Sequence, residues 1–163
     1  MKRLASVTLG LSIFIASGLA TWLFLEMNHS PIASVQSTPN AVTPEQIARG
    51  EYLARIGNCA GCHTARGGEP YAGGKAVDTS FGAGYASNLT PDTITGIGTW
   101  SADAFYRAMH EGRSKDGNLM YPAFPYPNLS LTTREDTDAI FAFLINRVAP
   151  VSRTNSEHAL AFP

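Results

Sequence analysis

Cys59-Ala60-Gly61-Cys62-His63 holds both cysteines of the chain, and its spacing governs how everything around it is read. Cys-x-x-Cys-His is the attachment signal of a c-type haem. Two thiols at this separation match the two vinyl groups of the macrocycle. The histidine that follows is held against one face of the iron as its proximal ligand. A redox Cys-x-x-Cys calls for strand–helix alternation, and none surrounds this stretch. A four-ligand zinc site needs two more Cys or His at paired spacing, whereas His29, His110 and His158 stand singly. Cys59, Cys62 and His63 are therefore the expected cofactor-binding residues for one covalent haem c, with His63 on the metal.

The 163 residues allow one domain of ordinary size behind a targeting segment. A net charge of −1 with both signs mixed leaves no electrostatic footprint for nucleic acid. At the N-terminus, Lys2 and Arg3 precede an uncharged, mostly apolar run from Leu4 to Leu25. A run of about 22 residues exceeds an ordinary signal core and is long enough to cross a bilayer. Trp22 lies near its far end, where an interfacial aromatic belongs. Residues 1–27 are thus expected to be a retained membrane-spanning anchor, with a cleaved signal as the alternative. Either way, the remainder is placed on the periplasmic side of a bacterial inner membrane.

Residues 28–42, rich in Ser, Pro and Asn, read as a linker. The domain proper is expected over 43–150. Thr43-Pro44-Glu45-Gln46 opens a first helix, with Thr43 as N-cap, Pro44 at the first helical position and Gln46 completing a capping box. Ile47, Leu53 and Ile56 would form its apolar side, with Ala48 and Tyr52 beside it, and Gly57 would end it just before the cysteines. Ser101 caps a second helix that carries Phe105 and Met109 four apart and stops at Gly112. A third begins near Thr132-Thr133, buries Ile140, Phe143, Leu144 and Val148, and closes by Pro150. Between the first two, residues 65–97 show no period, and a loop of that length is expected to wrap something. Residues 151–163 read as a tail with little to fix it, though Leu160 and Phe162 could pack back on the domain. The expected fold is all-α, with about three main helices and long loops around one haem, behind the N-terminal helix.

The second face of the iron decides between carrying electrons and binding ligands. Met120 is the first candidate, since it lies in a loop stiffened by the prolines that follow it. His110 is the alternative distal ligand. Met109, mid-helix, reads as core packing, and an open face stays possible. Trp100, Asn88 and Arg113 are further candidates for contacts with a propionate.

Arg49-Gly50-Glu51-Tyr52-Leu53-Ala54-Arg55 running into Cys59–His63 resembles a class I cytochrome c. More narrowly, the chain resembles one haem module of the multihaem cytochrome c subunits of membrane-bound alcohol, gluconate and aldehyde dehydrogenases. The matching pieces are Ser87-Asn88-Leu89-Thr90-Pro91-Asp92, Thr95-Gly96-Ile97-Gly98-Thr99-Trp100-Ser101, His110-Glu111-Gly112 and Tyr121-Pro122-Ala123-Phe124-Pro125-Tyr126. Two departures stand out. The chain has one haem motif where those subunits commonly have three, and Phe124 occupies the place of a distal-loop methionine found in many members.

The resemblance implies an electron carrier of the respiratory chain rather than an enzyme. It would take electrons from a membrane-associated or periplasmic dehydrogenase and pass them to quinone, a terminal oxidase or another cytochrome. A haem-based sensor or ligand-binding module with an open distal face is the rival. A peroxidase would need the pair His110 and Glu111 as its acid–base groups.

Overall fold

A computed structural model describes residues 14–25, 41–121 and 123–161, and the chain divides into two units, residues 1–36 and 37–163. In the first unit, residues 14–25 are helical (α1). No helix among the described residues is long and apolar enough to cross a membrane. Twelve residues at about 1.5 Å each cover roughly 18 Å, short of a hydrocarbon core of about 30 Å. The expected membrane-spanning helix is not found in the described part of the run. The rest of that run, and most of the expected linker, lie outside the described residues.

The second unit orders its elements as α2 (Pro44–Ile56), α3 (Cys59–His63), β1 (Ala76–Thr79), β2 (Gly82–Tyr85), α4 (Ala102–Glu111), α5 (Tyr126–Leu129), α6 (Arg134–Arg147) and β3 (Ala159–Leu160). The three long helices start where their caps place them. Thr43 Oγ1 accepts from the Gln46 amide at 3.1 Å, Ser101 Oγ from Ala104 at 3.1 Å, and Thr133 Oγ1 from Asp136 at 3.2 Å. Each satisfies an amide that the first turn leaves without an intrahelical partner. Gly112, at φ 64°, ends α4 in the left-handed conformation and donates its amide to Ala108 O.

α2 packs most extensively on α6. The contact is made through the smallest residues: a Cβ added to Gly50 would run into the Ala139 carbonyl, and Ala54 beside it is buried. The two backbones therefore approach more closely than any side chain would allow. Arg49 closes the rim with an ion pair to Asp136, its Nε 2.6 Å from Oδ1. Around this crossing Tyr71, Ile97, Phe105, Met109, Ile140, Phe143 and Leu144 form one core. Tyr71 meets Phe143 edge to face at 5.9 Å.

This crossing corrects the expected apolar side of α2. Ile47 and Leu53 turn inward as expected, but Ile56 and Tyr52 are 64% and 63% exposed, and Gly50 and Ala54 complete the buried stripe. A helix buried by close backbone approach hides its small residues, which a search for large apolar ones passes over.

The structure is also not purely helical. β1, β2 and β3 form a small antiparallel sheet, with Ala76 opposite Tyr85 and Gly82 opposite Leu160. The strands are short, and β2 reads Gly-Ala-Gly-Tyr, which lacks the run of branched and aromatic residues that marks a strand in sequence. The expected free tail is the third strand. Before it pairs, it is held by Val151, Arg153 and Asn155, each hydrogen-bonded to the segment 85–95. That segment has its own order: Asp92 Oδ1 accepts from the Thr95 amide at 2.6 Å and from Thr95 Oγ1 at 2.7 Å, which holds its carboxyl below the usual aspartate range.

The crossing makes a stability prediction. Gly50→Ala must part the two helices and should destabilise the domain by about 1–3 kcal/mol, the range of overpacking in a tight core. Ile56→Ala, on the open side of the same helix, should stay within about 0.5 kcal/mol. Urea denaturation of both variants checks the pair, and equal losses would refute this assignment of faces.

Candidate functional site

The first helix ends just before the cysteine motif, as expected, and the motif forms a separate turn. α2 stops at Gly57, whose amide bonds back to Leu53 O at 2.9 Å. Asn58 then takes up a left-handed conformation, φ 53°, and restarts the chain as the single turn α3. Cys59 and Cys62, three apart on that turn, lie on neighbouring positions of one helix face. They are not joined to each other in a disulfide. Cys59 is half-buried against the core, and burial pushes its thiol up from the usual value; Cys62 is exposed. Lys75 donates its ammonium to the Gly61 carbonyl and ties the turn to the start of the sheet.

His63 closes α3 and is fixed at both ends. Its carbonyl accepts from the Gly73 amide at 2.8 Å. Its Nδ1 lies 2.8 Å from the Ser87 carbonyl, which can only accept, so Nδ1 carries the proton. Burial lowers the pKa of the ring, while the Ser87 bond acts weakly in the opposite direction. The result is a neutral imidazole with its Nε2 lone pair left to offer, the tautomer that a metal requires.

The partner of His63 comes from two irregular segments pressed together. Tyr71, Gly73 and Gly74 all have positive φ and fold the chain sharply beneath His63. A Cβ on Gly73 would lie 2.6 Å from the Ser87 carbonyl carbon and 2.7 Å from the Asn88 nitrogen. Only glycine lets the 71–74 turn and the Ser87–Asn88 peptide approach this closely. Sequence reasoning missed both Ser87 and Gly73. No spacing marks them, because one contributes a backbone carbonyl and the other an absent side chain.

Together with Cys59, the side chains of Leu53, Ala60, Leu89, Trp100 and Phe124 pack on the core as partly buried hydrophobics. Two thiols on one helical turn, a neutral imidazole next to them and a bordering set of apolar side chains suit a flat, apolar, iron-bearing macrocycle. Among the described residues no group of three or more His, Cys, Asp or Glu is placed to hold a bare metal ion.

The cytochrome c family model matches residues 47–147, more than half of the chain. The chain belongs to the cytochrome c family. This cytochrome c domain implies covalently attached haem c, and Cys59, Cys62 and His63 are the residues that could hold it. Among curated relatives, the gluconate 2-dehydrogenase cytochrome c subunit of Pantoea cypripedii is 44% identical over 117 residues, covering 72% of this chain and 26% of its own length. The cytochrome c subunit of the quinone-dependent alcohol dehydrogenase of Gluconobacter oxydans is 41% identical over 117 residues, or 72% of this chain and 24% of its own. A dihaem c-type cytochrome of Cereibacter sphaeroides is 32% identical across all of this chain and 54% of its own length. The chain thus spans about a quarter of the length of the two dehydrogenase subunits.

The remaining candidates of this cytochrome fall on the other side of the sequence. Met120 is half-buried, and its amide donates to the Gly112 carbonyl at 2.7 Å. The next residue, Tyr121, places its hydroxyl 2.8 Å from Thr79 Oγ1 and stacks on His158. The Met120 backbone is thereby tied to the end of α4 on one side and to the sheet on the other. His110 is used differently. Its Nδ1 lies 2.9 Å from Tyr106 O and its Nε2 2.9 Å from Thr132 O, and its ring stacks on Tyr106. With both nitrogens directed at carbonyls, His110 joins α4 to the approach to α6 and presents neither to a metal. Met109 is buried in the core, as its helical position suggests.

The three candidates for propionate contacts have the following surroundings. Asn88 spends its amide on Thr95 Oγ1, Val151 O and the Thr90 amide. Arg113 donates to Gly117 O within its own hairpin. Trp100 packs on the core.

The close approach at Gly73 can be separated from its backbone strain. Gly67 and Gly73 share nearly the same φ, 71° and 73°, but a Cβ on Gly67 meets nothing within 4 Å. Gly67→Ala should cost about 1–2 kcal/mol of left-handed strain. Gly73→Ala should cost about 1–3 kcal/mol more, from displacing the Ser87–Asn88 peptide. Thermal unfolding of the two variants checks the difference, and equal losses would contradict the contact.

Proposed function

We propose that this cytochrome c is a single-electron carrier with one haem, joined through Cys59 and Cys62 and ligated by His63 and Met120. The observation that carries this reading is the His63 Nδ1–Ser87 hydrogen bond beside two cysteines on one turn. The haem supplies an iron that changes by one electron. The protein's part is to hold that iron's surroundings the same in both oxidation states, so that little rearrangement accompanies transfer. The fixed ring of His63, the doubly tied backbone around Met120 and the packed core all serve that end.

The donor in this reading is a membrane-associated or periplasmic dehydrogenase, as the names of the gluconate, alcohol and fructose dehydrogenase cytochrome relatives support. The acceptor is quinone, a terminal oxidase or another cytochrome. The apolar run from Leu4 to Leu25 exports the domain and keeps it at the inner membrane, with the haem domain in the periplasm.

A specific observation favours a second reading. Phe124, half-buried and packed on the core, stands at the place where the family resemblance implies a distal-loop methionine. If Met120 does not reach the iron, the distal face is open and the protein is a ligand-binding or sensing module.

Spectra of the haem-bearing chain decide between the two. The carrier reading expects a far-red thioether-to-iron band in the ferric form, abolished in Met120→Ala, and a ferrous form that resists carbon monoxide. Carbon monoxide binding at full occupancy by the unaltered chain, with no such band, would overturn it.

A further inference from the structure

The Ser87 carbonyl owes its place to an unusually complete set of bonds, and these come from the last residues of the domain. Asn88 is 4% exposed and Thr90 is fully buried. The Asn88 side-chain amide donates to Thr95 Oγ1 at 3.0 Å and to Val151 O at 2.8 Å, while its Oδ1 accepts from the Thr90 amide at 2.9 Å. Thr90 Oγ1 donates to Val151 O and accepts from Val151 N, both at 3.2 Å. Thr95 Oγ1 donates to Asp92 and accepts from the Arg153 amide at 2.9 Å. On the other side of Ser87, Asn155 donates to Ala86 O at 2.8 Å and to Tyr85 O at 3.3 Å. The stretch 151–155 thus runs as a strap across the segment that bears Ser87 and grips the residues just before and just after it.

We propose that Asn88, held by the Val151–Asn155 strap, is a positioning residue for His63. It touches neither the thiols nor the ring. It sets the peptide whose carbonyl receives the Nδ1 proton, and through that bond the plane, tautomer and donor strength of the imidazole. A buried asparagine with every hydrogen placed has one satisfactory orientation, since turning the amide would oppose Nδ2 to the Thr90 amide and Oδ1 to the Val151 carbonyl. The neighbouring carbonyl therefore has one position too. A hydrogen bond at Nδ1 makes the imidazole a stronger donor through Nε2. Loosening it weakens that donation, favours the reduced metal and raises the reduction potential. The proposal rests on the ligand role of His63 argued above.

The test uses the full chain carrying its haem. In Asn88→Ala, exchange of the His63 Nδ1 proton, followed by NMR in the ferrous form, should quicken about tenfold, as expected for losing roughly one hydrogen bond's net stabilisation. The reduction potential should move upward together with it. Asn155→Ala, which loosens the strap from the other side, should move both in the same direction by less. If Asn88→Ala does not mature, Asn155→Ala and Thr95→Val carry the test by the same two readouts. A fall in unfolding midpoint, with proton exchange and potential unchanged in the variants, would reduce the network to a structural turn and overturn the proposal. Absence of covalent haem in the unaltered chain would overturn the ligand reading itself, and it is seen before any variant is made.

Discussion

The close crossing of α2 and α6 at Gly50 and Ala139 is the constraint on which the rest of the domain depends. Because no side chain separates the backbones there, the two helices have one depth of approach. The first helix then ends at a set place, and the left-handed step at Asn58 turns the chain into α3 with both thiols and the histidine on it. The same crossing gathers Phe105, Phe143 and Leu144 into the core against which Cys59 and Ala60 lie. A single contact between small residues thus fixes both the core and the position of the turn that carries Cys59, Cys62 and His63.

The second support is irregular and works through hydrogen bonds rather than apolar area. The turn at 71–74, the peptide at 87–88 and the strap at 151–155 are short of regular structure, yet their polar groups are matched to one another. This arrangement suits a site where one ring must keep its orientation. Helices and strands repeat their bonds along an axis, whereas a single carbonyl aimed at a single imidazole nitrogen needs a local solution. The left-handed Tyr71 at φ 64° shows that the chain accepts backbone strain at this point.

Those two supports explain which parts of the molecule are legible in the sequence. Helix starts read clearly, because Thr43, Ser101 and Thr133 announce themselves by residue type and position. The buried stripe of α6 is equally plain, since Ile140, Phe143 and Leu144 are large and periodic. The exposed side of α2 at Tyr52 and Ile56 is easily mistaken for the buried one, because Gly50, not a large residue, marks the contact. The sheet leaves little trace, because β2 is half glycine and β3 is two residues long. The grouping of Cys59, Cys62 and His63 follows from spacing. Their supporting partners do not, because Ser87 acts through its backbone and Asn88 through neighbours as far as 63 residues away in sequence.

The claim at the centre of this account is that Cys59 and Cys62 together hold one haem. Trypsin should release residues 56–66 as one peptide, since Arg55 and Arg66 flank the motif. Mass spectrometry of that peptide, from chain produced with c-type maturation and stripped of loosely held haem by acid extraction, tests the claim directly. The account predicts a peptide heavier by one haem, and by none when both cysteines are replaced with serine. Recovery of the unaltered peptide at its bare polypeptide mass would contradict it.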